Sequence, residues 1–223
     1  PYQSRTPGSR DAFADPWFEA QRSRAVADVK PRGAFMEVAF GLTQAGAVQV
    51  EQRTLLNVAE RSNVHTFGWP IGLVVHVEDG RPQPNAEGIS ARIVWSGISD
   101  YESADYWSLR NNGDFYYAAS LFENARNPAA LFFNTRMVRT AEALMYCRNV
   151  YQNLHVPDGT GVKFRVCHSG FCGRILSTSN PNRMMGGTYK ATNDISEATV
   201  EFSLPLTDRD VVEKTRELLN PLF

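Results

Sequence analysis

The sequence contains few cysteines and no long apolar stretch. Its 223 residues include three cysteines, Cys147, Cys167 and Cys172. Such a small, odd number argues against a disulfide framework and indicates a reducing compartment, so we expect a cytoplasmic location. No run of 18 consecutive apolar residues occurs, so the sequence predicts no membrane-spanning helix and no membrane partner.

Motifs of well-known catalytic sites are also missing. We find no Gly-x-Ser-x-Gly, no phosphate-binding Walker loop and no Gly-x-Gly-x-x-Gly. Cys167, His168 and Cys172 offer three soft ligands but lack the second ligand pair of a typical zinc site. Cys167 and His168 are neighbours on a predicted strand, where adjacent side chains point to opposite faces. We therefore expect three reduced cysteines, no metal, no cofactor and no catalytic residue.

The amino-terminal stretch differs in composition from the rest of the chain. It begins at Pro1 without a signal-peptide pattern, which suggests a fragment or a processed chain. Residues 1–12 are polar and rich in turn formers, and we interpret them as a linker or arm. Residues 13–223 are then predicted to form a single domain.

The sequence predicts a central β-hairpin followed by a long buried helix. Asn112-Gly113 suits a two-residue type I′ turn, which would place Leu109 opposite Tyr116. Residues 135–154 are apolar around most of the helical circumference, as in buried helices. Arg136 and Arg148 fall within the apolar arc, where a charge is costly unless it is paired.

Short strands and helices are predicted on both sides of this unit. The helices are 17–29, 51–62 and 207–219, and the strands are 34–40, 73–77, 88–95, 131–133, 163–167, 173–176 and 198–204. Hairpin-like runs of strands with helices between them predict an α+β fold. We expect a mostly antiparallel sheet, a long buried central helix and flanking amino- and carboxyl-terminal helices.

The net charge of −1 conceals an uneven distribution. Residues 124–190 contain nine basic and two acidic side chains, a charge of +7, so the remainder carries −8. Such asymmetry can mark a face that binds a partner. It can equally mean that basic and acidic segments pair within one fold.

Arginine and asparagine side chains supply the candidate ligand site. Arginine binds phosphate and carboxylate groups in a bidentate manner, and exposed aromatic rings stack on nucleic-acid bases. The predicted ligand-binding residues are Arg136, Arg148, Arg174, Asn180, Asn182 and Arg183. The predicted stacking residues, provided that they are exposed, are Trp107, Tyr116 and Tyr117. In the alternative interpretation, the arginines pair with internal carboxylates such as Glu123 and Glu142.

Several short motifs carry a family resemblance that extends over residues 34–220. They are Phe-Gly-Trp-Pro-Ile-Gly (67–72), Asp-Tyr-Trp-Ser-Leu-Arg (105–110), Gly-Asp-Phe-Tyr (113–116), Leu-Phe-Glu (121–123), Phe-Phe-Asn-Thr-Arg (132–136), Thr-Ala-Glu-Ala-Leu (140–144), Gly-Arg-Ile-Leu (173–176) and Asn-Pro-Asn-Arg (180–183). In this order they resemble the region downstream of the Schlafen-like, Alba-type DNA-binding domain in some bacterial proteins. The resemblance implies a partner module of a regulatory or defence protein and implies no reaction.

Three functional hypotheses follow. The first is a non-catalytic sensor or interaction module that recognises a phosphate-bearing ligand, a nucleotide or a nucleic acid. The second is a hydrolase or nuclease with a dispersed site. The third is a structural or oligomerisation domain, with a second copy of the chain as its partner.

Overall fold

The computed structural model describes residues 8–66, 68–96, 102–180, 182–183 and 185–222. Within these residues the helices are α1 (Pro16–Val29), α2 (Gln52–Ser62), α3 (Phe122–Arg126), α4 (Phe133–Asn153) and α5 (Asp208–Leu219). The strands are β1 (Phe35–Leu42), β2 (Gln83–Asn85), β3 (Gly88–Ser96), β4 (Glu102–Arg110), β5 (Phe115–Ser120), β6 (Ala130–Phe132), β7 (Gly161–Ser169), β8 (Ile175–Ser177) and β9 (Ile195–Ser203). None of these helices combines the length and apolar character that crossing a bilayer requires.

Seven strands form one antiparallel sheet in the order β2-β3-β4-β5-β1-β7-β9. The short strands β6 and β8 pair in parallel as a separate ribbon. Strand β1 lies near the middle of the large sheet, and all eight of its residues are buried. The predicted α+β class with a mostly antiparallel sheet is confirmed.

Helix α4 packs on one face of this sheet and is buried in the larger core, as predicted. Its residues Leu144 and Val150 are fully buried, and Tyr146 contacts Phe40 and Phe115 of the sheet. Helices α2 and α5 pack beside α4. The opposite sheet face is covered by α1, which starts at Pro16 with Asp15 as its N-cap. The molecule therefore has three layers, with the sheet between α1 and the other long helices.

The central hairpin forms, but its predicted register is wrong by one residue. Leu109 pairs with Phe115 rather than with Tyr116. The amide of Gly113 donates to the Arg110 carbonyl (2.9 Å), and the amide of Arg110 donates to the Asp114 carbonyl (2.9 Å). Gly113 has a φ of +84°, so the connection is a type I turn that ends in a glycine bulge. Asn-Gly fits both kinds of turn, and the longer one shifts every pair along the ladder.

The predicted strand 73–77 is also wrong. These residues belong to neither sheet. The edge position beside β3 is instead occupied by β2, where Gln83 pairs with Ser90. Pro84 lies within β2, and proline is tolerated there because an edge strand has one unpaired side.

Part of the predicted amino-terminal arm is anchored to the domain. Arg10 donates through Nε to the Leu42 carbonyl (2.8 Å) and forms an ion pair with Asp114. Ala12 is fully buried. Residues 1–7 of the predicted arm lie outside the described residues.

Candidate functional site

A cavity of about 400 Å³ opens between the sheet and the start of α4. We call it the indole cavity because two tryptophans line it. Its wall includes residues from the sheet, from α3 and α4, and from the turn before β2. The lining residues are Met36, Gly68, Trp69, Trp95, Ser103, Asp105, Ala119, Ser120, Leu121, Phe122, Ala125, Thr135, Arg136 and Arg139.

Three adjacent strands form the floor of the indole cavity. Trp95 on β3 lies directly opposite Ser103 on β4. Asp105, two residues further along β4, pairs with Ala119 on β5. Cross-strand partners share one face of a sheet, and residues two apart on a strand do so as well. The floor therefore places one indole, one hydroxyl and one carboxyl group side by side.

The turn that carries Trp69 is fixed at both ends. Asn63 on α2 donates through Nδ2 to the carbonyls of Ile71 (2.9 Å) and Gly72 (3.1 Å). Arg139 on α4 donates through Nη1 to the Trp69 carbonyl (2.8 Å). Gly72 has a φ of +69°, and a Cβ atom there would lie 2.2 Å from the Tyr146 hydroxyl. This turn thus both packs against Tyr146 and carries a cavity residue.

Trp69 and Trp95 meet edge to face at the cavity. Their ring centroids lie 5.5 Å apart at an interplanar angle of 86°. Trp69 is 39% exposed and Trp95 is 57% exposed. Aromatic side chains that line a concave site are typical of ligand-binding pockets. The pair offers two perpendicular π faces to a ligand.

A hydrogen-bonded chain of polar groups lies behind the floor. Arg139 Nη2 donates to the Tyr117 hydroxyl (3.0 Å), which donates to Asp105 Oδ2 (3.2 Å). Arg139 also forms a 2.6 Å ion pair with Glu142. Burial raises the pKa of Asp105 from 3.8 to about 6, and this effect exceeds the lowering by Arg139 and by the Tyr117 hydrogen bond. Asp105 is therefore a desolvated carboxyl group at the edge of a cavity.

Arg136 lies in the helical wall of the indole cavity, and its charge is already paired. Its Nε and Nη2 atoms donate to Glu123 Oε1 (3.1 Å) and Oε2 (3.0 Å). Burial lowers the pKa of Arg136, and Glu123 opposes that change. The neighbouring Thr135 is 3% exposed, and its hydroxyl has no hydrogen-bond partner among the described residues. Thr135 is thus a polar group that a ligand could engage.

The other predicted arginines do not join Arg136 in one pocket. Arg174 is buried and donates to the Gly170 carbonyl (2.9 Å), the Ala130 carbonyl (3.2 Å) and Asn124 Oδ1 (2.6 Å). It connects β7 and β8 to β6 and α3. Arg148 forms a 2.6 Å ion pair with Asp208 at the start of α5. Both side chains bind groups of the protein itself.

The remaining predicted ligand-binding residues lie in an exposed turn. Asn180 Oδ1 accepts from the Asn182 amide (2.9 Å), and the Asn180 carbonyl accepts from the Arg183 amide (3.1 Å). None of the three lines the indole cavity. The basic residues of the +7 segment also pair with acidic residues outside it, for example Lys163 with Asp11 (2.8 Å). Such pairs agree with the alternative of segments that pair within one fold.

The predicted stacking residues are in the core. Trp107 and Tyr116 are fully buried and Tyr117 is 1% exposed. Trp107 donates through Nε1 to the Leu73 carbonyl (2.8 Å), and Tyr116 donates to Glu37 Oε1 (2.7 Å). The condition of exposure is not met, because the hairpin is covered on both of its faces. The strand pattern alone did not distinguish a central strand from an exposed one.

The soft-ligand group around β7 shows no metal geometry. Cys167 and His168 lie opposite Glu37 and Met36 of β1, respectively, and so point to opposite faces of the sheet. All three cysteines are free. In the described part of the chain, no group of three or more His, Cys, Asp or Glu side chains is placed to hold a metal ion.

Sequence reasoning overlooked most of the cavity residues. Asp105, Trp107 and Leu109 are two residues apart on β4 and therefore share one face. The pattern placed a carboxyl group at a core-facing position. A charged residue at such a position is costly and often functional, and this was the available signal. No comparable signal marks Trp69 or Trp95, which come together only through the fold.

Comparisons with protein-family models, with curated proteins and with solved structures gave no match. The similarity of the sequence motifs to the region downstream of Schlafen-like domains therefore stays a prediction.

Proposed function

We propose that this chain is a non-catalytic sensor module that binds a small molecule in the indole cavity. The observation that carries the proposal is the meeting of two open indoles and a desolvated carboxyl group in one concave site. Binding sites for small molecules are typically apolar hollows with a few polar groups that fix the orientation of the ligand. The indole cavity has this character.

The volume of the cavity supports a ligand of metabolite size. At about 400 Å³ it lies within the range of roughly 300–1,000 Å³ that is usual for such sites. Trp69 and Trp95 supply apolar area, while Asp105 and the Thr135 hydroxyl supply polar contacts. A flat group of the ligand would stack on an indole and direct its polar end to the floor.

A small molecule is a better fit than a nucleic acid. The three aromatic residues expected to stack on bases are buried, and Arg136, Arg148 and Arg174 are engaged by groups of the protein. The resemblance in sequence adds the proposal that the module serves a bacterial regulatory or defence protein. In that setting, occupancy of the cavity would be the signal that the module reports.

Tryptophan side-chain resonances provide the test. The chain has four tryptophans, and each gives one indole N–H signal in a ¹H–¹⁵N correlation spectrum of uniformly ¹⁵N-labelled protein. Trp69→Phe and Trp95→Phe variants assign the two cavity signals. We expect soluble fragments of a small-molecule library to shift the signals of Trp69 and Trp95 in a saturable way.

Trp17 and Trp107 are the internal controls. They are 5% and 0% exposed and do not line the indole cavity, so their signals should remain in place. Fragments that bind only elsewhere, or a library without a single fragment that shifts the Trp69 and Trp95 signals, would contradict the proposal.

A second candidate function is a hydrolase that uses Asp105 for proton transfer. The observation in its favour is a cavity carboxyl group with a pKa of about 6, since perturbed carboxyl groups in clefts are often general acids or bases. The same samples distinguish the two functions. A hydrolase would convert bound esters or amides of the library over hours and lose this activity in Asp105→Asn, whereas a binding module leaves every fragment intact.

A further inference from the structure

We propose that the ligand of the indole cavity is an organic cation whose positive charge lies against Asp105. This inference rests on the proposed function and adds the chemical class of the ligand. It differs from the phosphate-bearing ligand expected from the sequence. Three observations support it, concerning Asp105, the neighbouring charges and the two tryptophans.

Asp105 is a buried carboxylate without an ion pair. It is 7% exposed, and no Lys, Arg or His nitrogen within the described residues lies within 4.0 Å of its carboxyl oxygens. Its hydrogen-bond donor is the neutral Tyr117 hydroxyl. A desolvated carboxylate is costly unless a positive charge compensates it. A cation in the cavity would supply that charge.

The two arginines of the cavity wall are committed to other carboxylates. Arg136 is paired with Glu123 at 3.0 Å and Arg139 with Glu142 at 2.6 Å. Arg139 does lower the pKa of Asp105, but burial of the carboxyl group has the larger effect. These five side chains carry two positive and three negative charges once Asp105 is ionised. Among these described side chains the unbalanced charge is therefore negative, which disfavours an anionic ligand.

The tryptophans favour the same class of ligand. A cation over an indole face is attracted by the quadrupole of the ring, and tryptophan is the most effective residue for this interaction. Trp69 and Trp95 lie at 86° to each other, so a cationic group in the angle between them meets the faces of the rings, which carry the negative part of the quadrupole. Trp95 stands on the same sheet face as Asp105. One protonated amine on a small apolar body can therefore satisfy the indoles and the carboxylate together.

A neutral ring would fill the cavity but leave the charge of Asp105 uncompensated. An anion such as a carboxylate would face repulsion from Asp105 and find both arginines engaged. The class that fits best is a primary or secondary amine, or an amidine, with an aromatic or aliphatic body of metabolite size.

The experiment compares three probes that share a benzene ring and differ in charge. Benzylamine is a cation at pH 7.5, benzyl alcohol is neutral and benzoate is an anion. Dissociation constants are read from the indole N–H shifts of Trp69 and Trp95. We expect benzylamine to bind about tenfold more tightly than benzyl alcohol, because a desolvated charge pair is stronger than a neutral hydrogen bond. Benzoate should bind most weakly.

Asp105→Asn removes the charge but keeps the shape and an acceptor for Tyr117. We expect this variant to lose the preference for the amine and to bind benzylamine no better than benzyl alcohol. Asp158→Asn, which changes an exposed carboxylate in a turn, is the matched control and should keep the full preference for the amine.

A calorimetric measurement provides a readout that needs no variant. Pairing with a cation favours the ionised form of Asp105, so benzylamine binding at pH 6 should release protons. Titrations in two buffers with different ionisation enthalpies detect this release, and benzyl alcohol should show none.

The outcomes separate this inference from the proposed function. If all three probes shift the Trp69 and Trp95 signals with equal affinity, or if benzoate binds most tightly, the cavity is a binding site but the ligand is not a cation. If neither these probes nor any library fragment shifts the two signals, the proposed function itself is wrong. Amine selectivity that persists in Asp105→Asn would also overturn the assigned role of Asp105.

Discussion

The Tyr117 hydroxyl donates a 3.2 Å hydrogen bond to Oδ2 of Asp105 on one face of the sheet. Both residues project towards α4, one from β5 and the other from β4. Arg139 in turn donates to the Tyr117 hydroxyl, so the phenol bridges a guanidinium group and the carboxyl group, and the charge of Arg139 also lowers the pKa of Asp105. Asp105 is thereby held in place without being neutralised, and this arrangement has consequences for stability as well as for binding.

Asp105→Asn should stabilise the protein above pH 6. The pKa of Asp105 is about 6 in the folded state against 3.8 for the ordinary group. Because the folded state holds the proton of Asp105 more tightly than the unfolded state does, protonation stabilises the fold. This stabilisation is complete below pH 3.8 and is lost as the pH rises through about 6. The loss is on the order of 2–3 kcal/mol. Urea unfolding at pH 4, 5, 6 and 7.5 measures the free energy of unfolding of both proteins. The advantage of the variant should grow with pH as Asp105 of the unmodified chain becomes ionised.

Asp158→Asn serves as the control for that series. Its carboxylate is exposed, so the free energy of unfolding should follow that of the unmodified chain within about 0.5 kcal/mol at each pH. An Asp105→Asn variant that is less stable than the unmodified chain at pH 7.5 would show that the charge of Asp105 is compensated in the fold.

Glu123 and Arg136 should stabilise the fold only when both are present. Both side chains are at most 2% exposed and share two hydrogen bonds. Glu123→Gln or Arg136→Met alone leaves one uncompensated buried charge, and we expect each to cost about 3–5 kcal/mol. Glu123→Gln/Arg136→Met removes both charges and should recover much of that loss. Urea unfolding of the three variants gives the coupling free energy.

An exposed pair provides the comparison for this cycle. Arg209 and Glu213 lie one helical turn apart on α5, and Arg209 is 86% exposed. The same cycle with Arg209→Met and Glu213→Gln should give a coupling of about 0.3–0.5 kcal/mol. Equal coupling in the two cycles would mean that burial adds nothing to the Glu123–Arg136 pair.

The main layers of the fold could be predicted from sequence because their signals are local. The apolar circumference of α4 and the Asp15-Pro16 and Thr207 caps depend on residues close together in the chain. The hairpin at Gly113 marks the limit of this approach. Asn-Gly allows a turn of either length, and the choice made in the structure accompanies a hydrogen bond from the Asp114 amide to Asn112 Oδ1 (3.1 Å).

The candidate site could not be predicted because it depends on long-range packing. Trp69 follows α2, Trp95 belongs to β3, and Asp105 lies on β4, so three separate elements have to meet. The predicted arginines lie apart in the structure for a related reason. Positive charge was visible in the sequence, but the carboxylates that engage it, such as Glu123 and Asp208, were not placed until the fold was known.

Arg10 should stabilise the domain although it lies in the stretch interpreted as a linker or arm. Its guanidinium group pairs with Asp114, whose side chain is fully buried, and also binds the Leu42 carbonyl. Burial raises the pKa of Asp114, and Arg10 opposes this rise. Arg10→Ala would leave that carboxylate less compensated, so we expect a loss of about 1.5–3 kcal/mol in urea unfolding at pH 7.5.

Arg53→Ala, which removes a largely exposed partner of Glu51, should change stability by about 0.5 kcal/mol or less. Adding Asp114→Asn to Arg10→Ala should restore part of the loss, since the buried charge is then gone. Equal stability of Arg10→Ala and the unmodified chain would show that residues 8–12 behave as a linker despite these contacts.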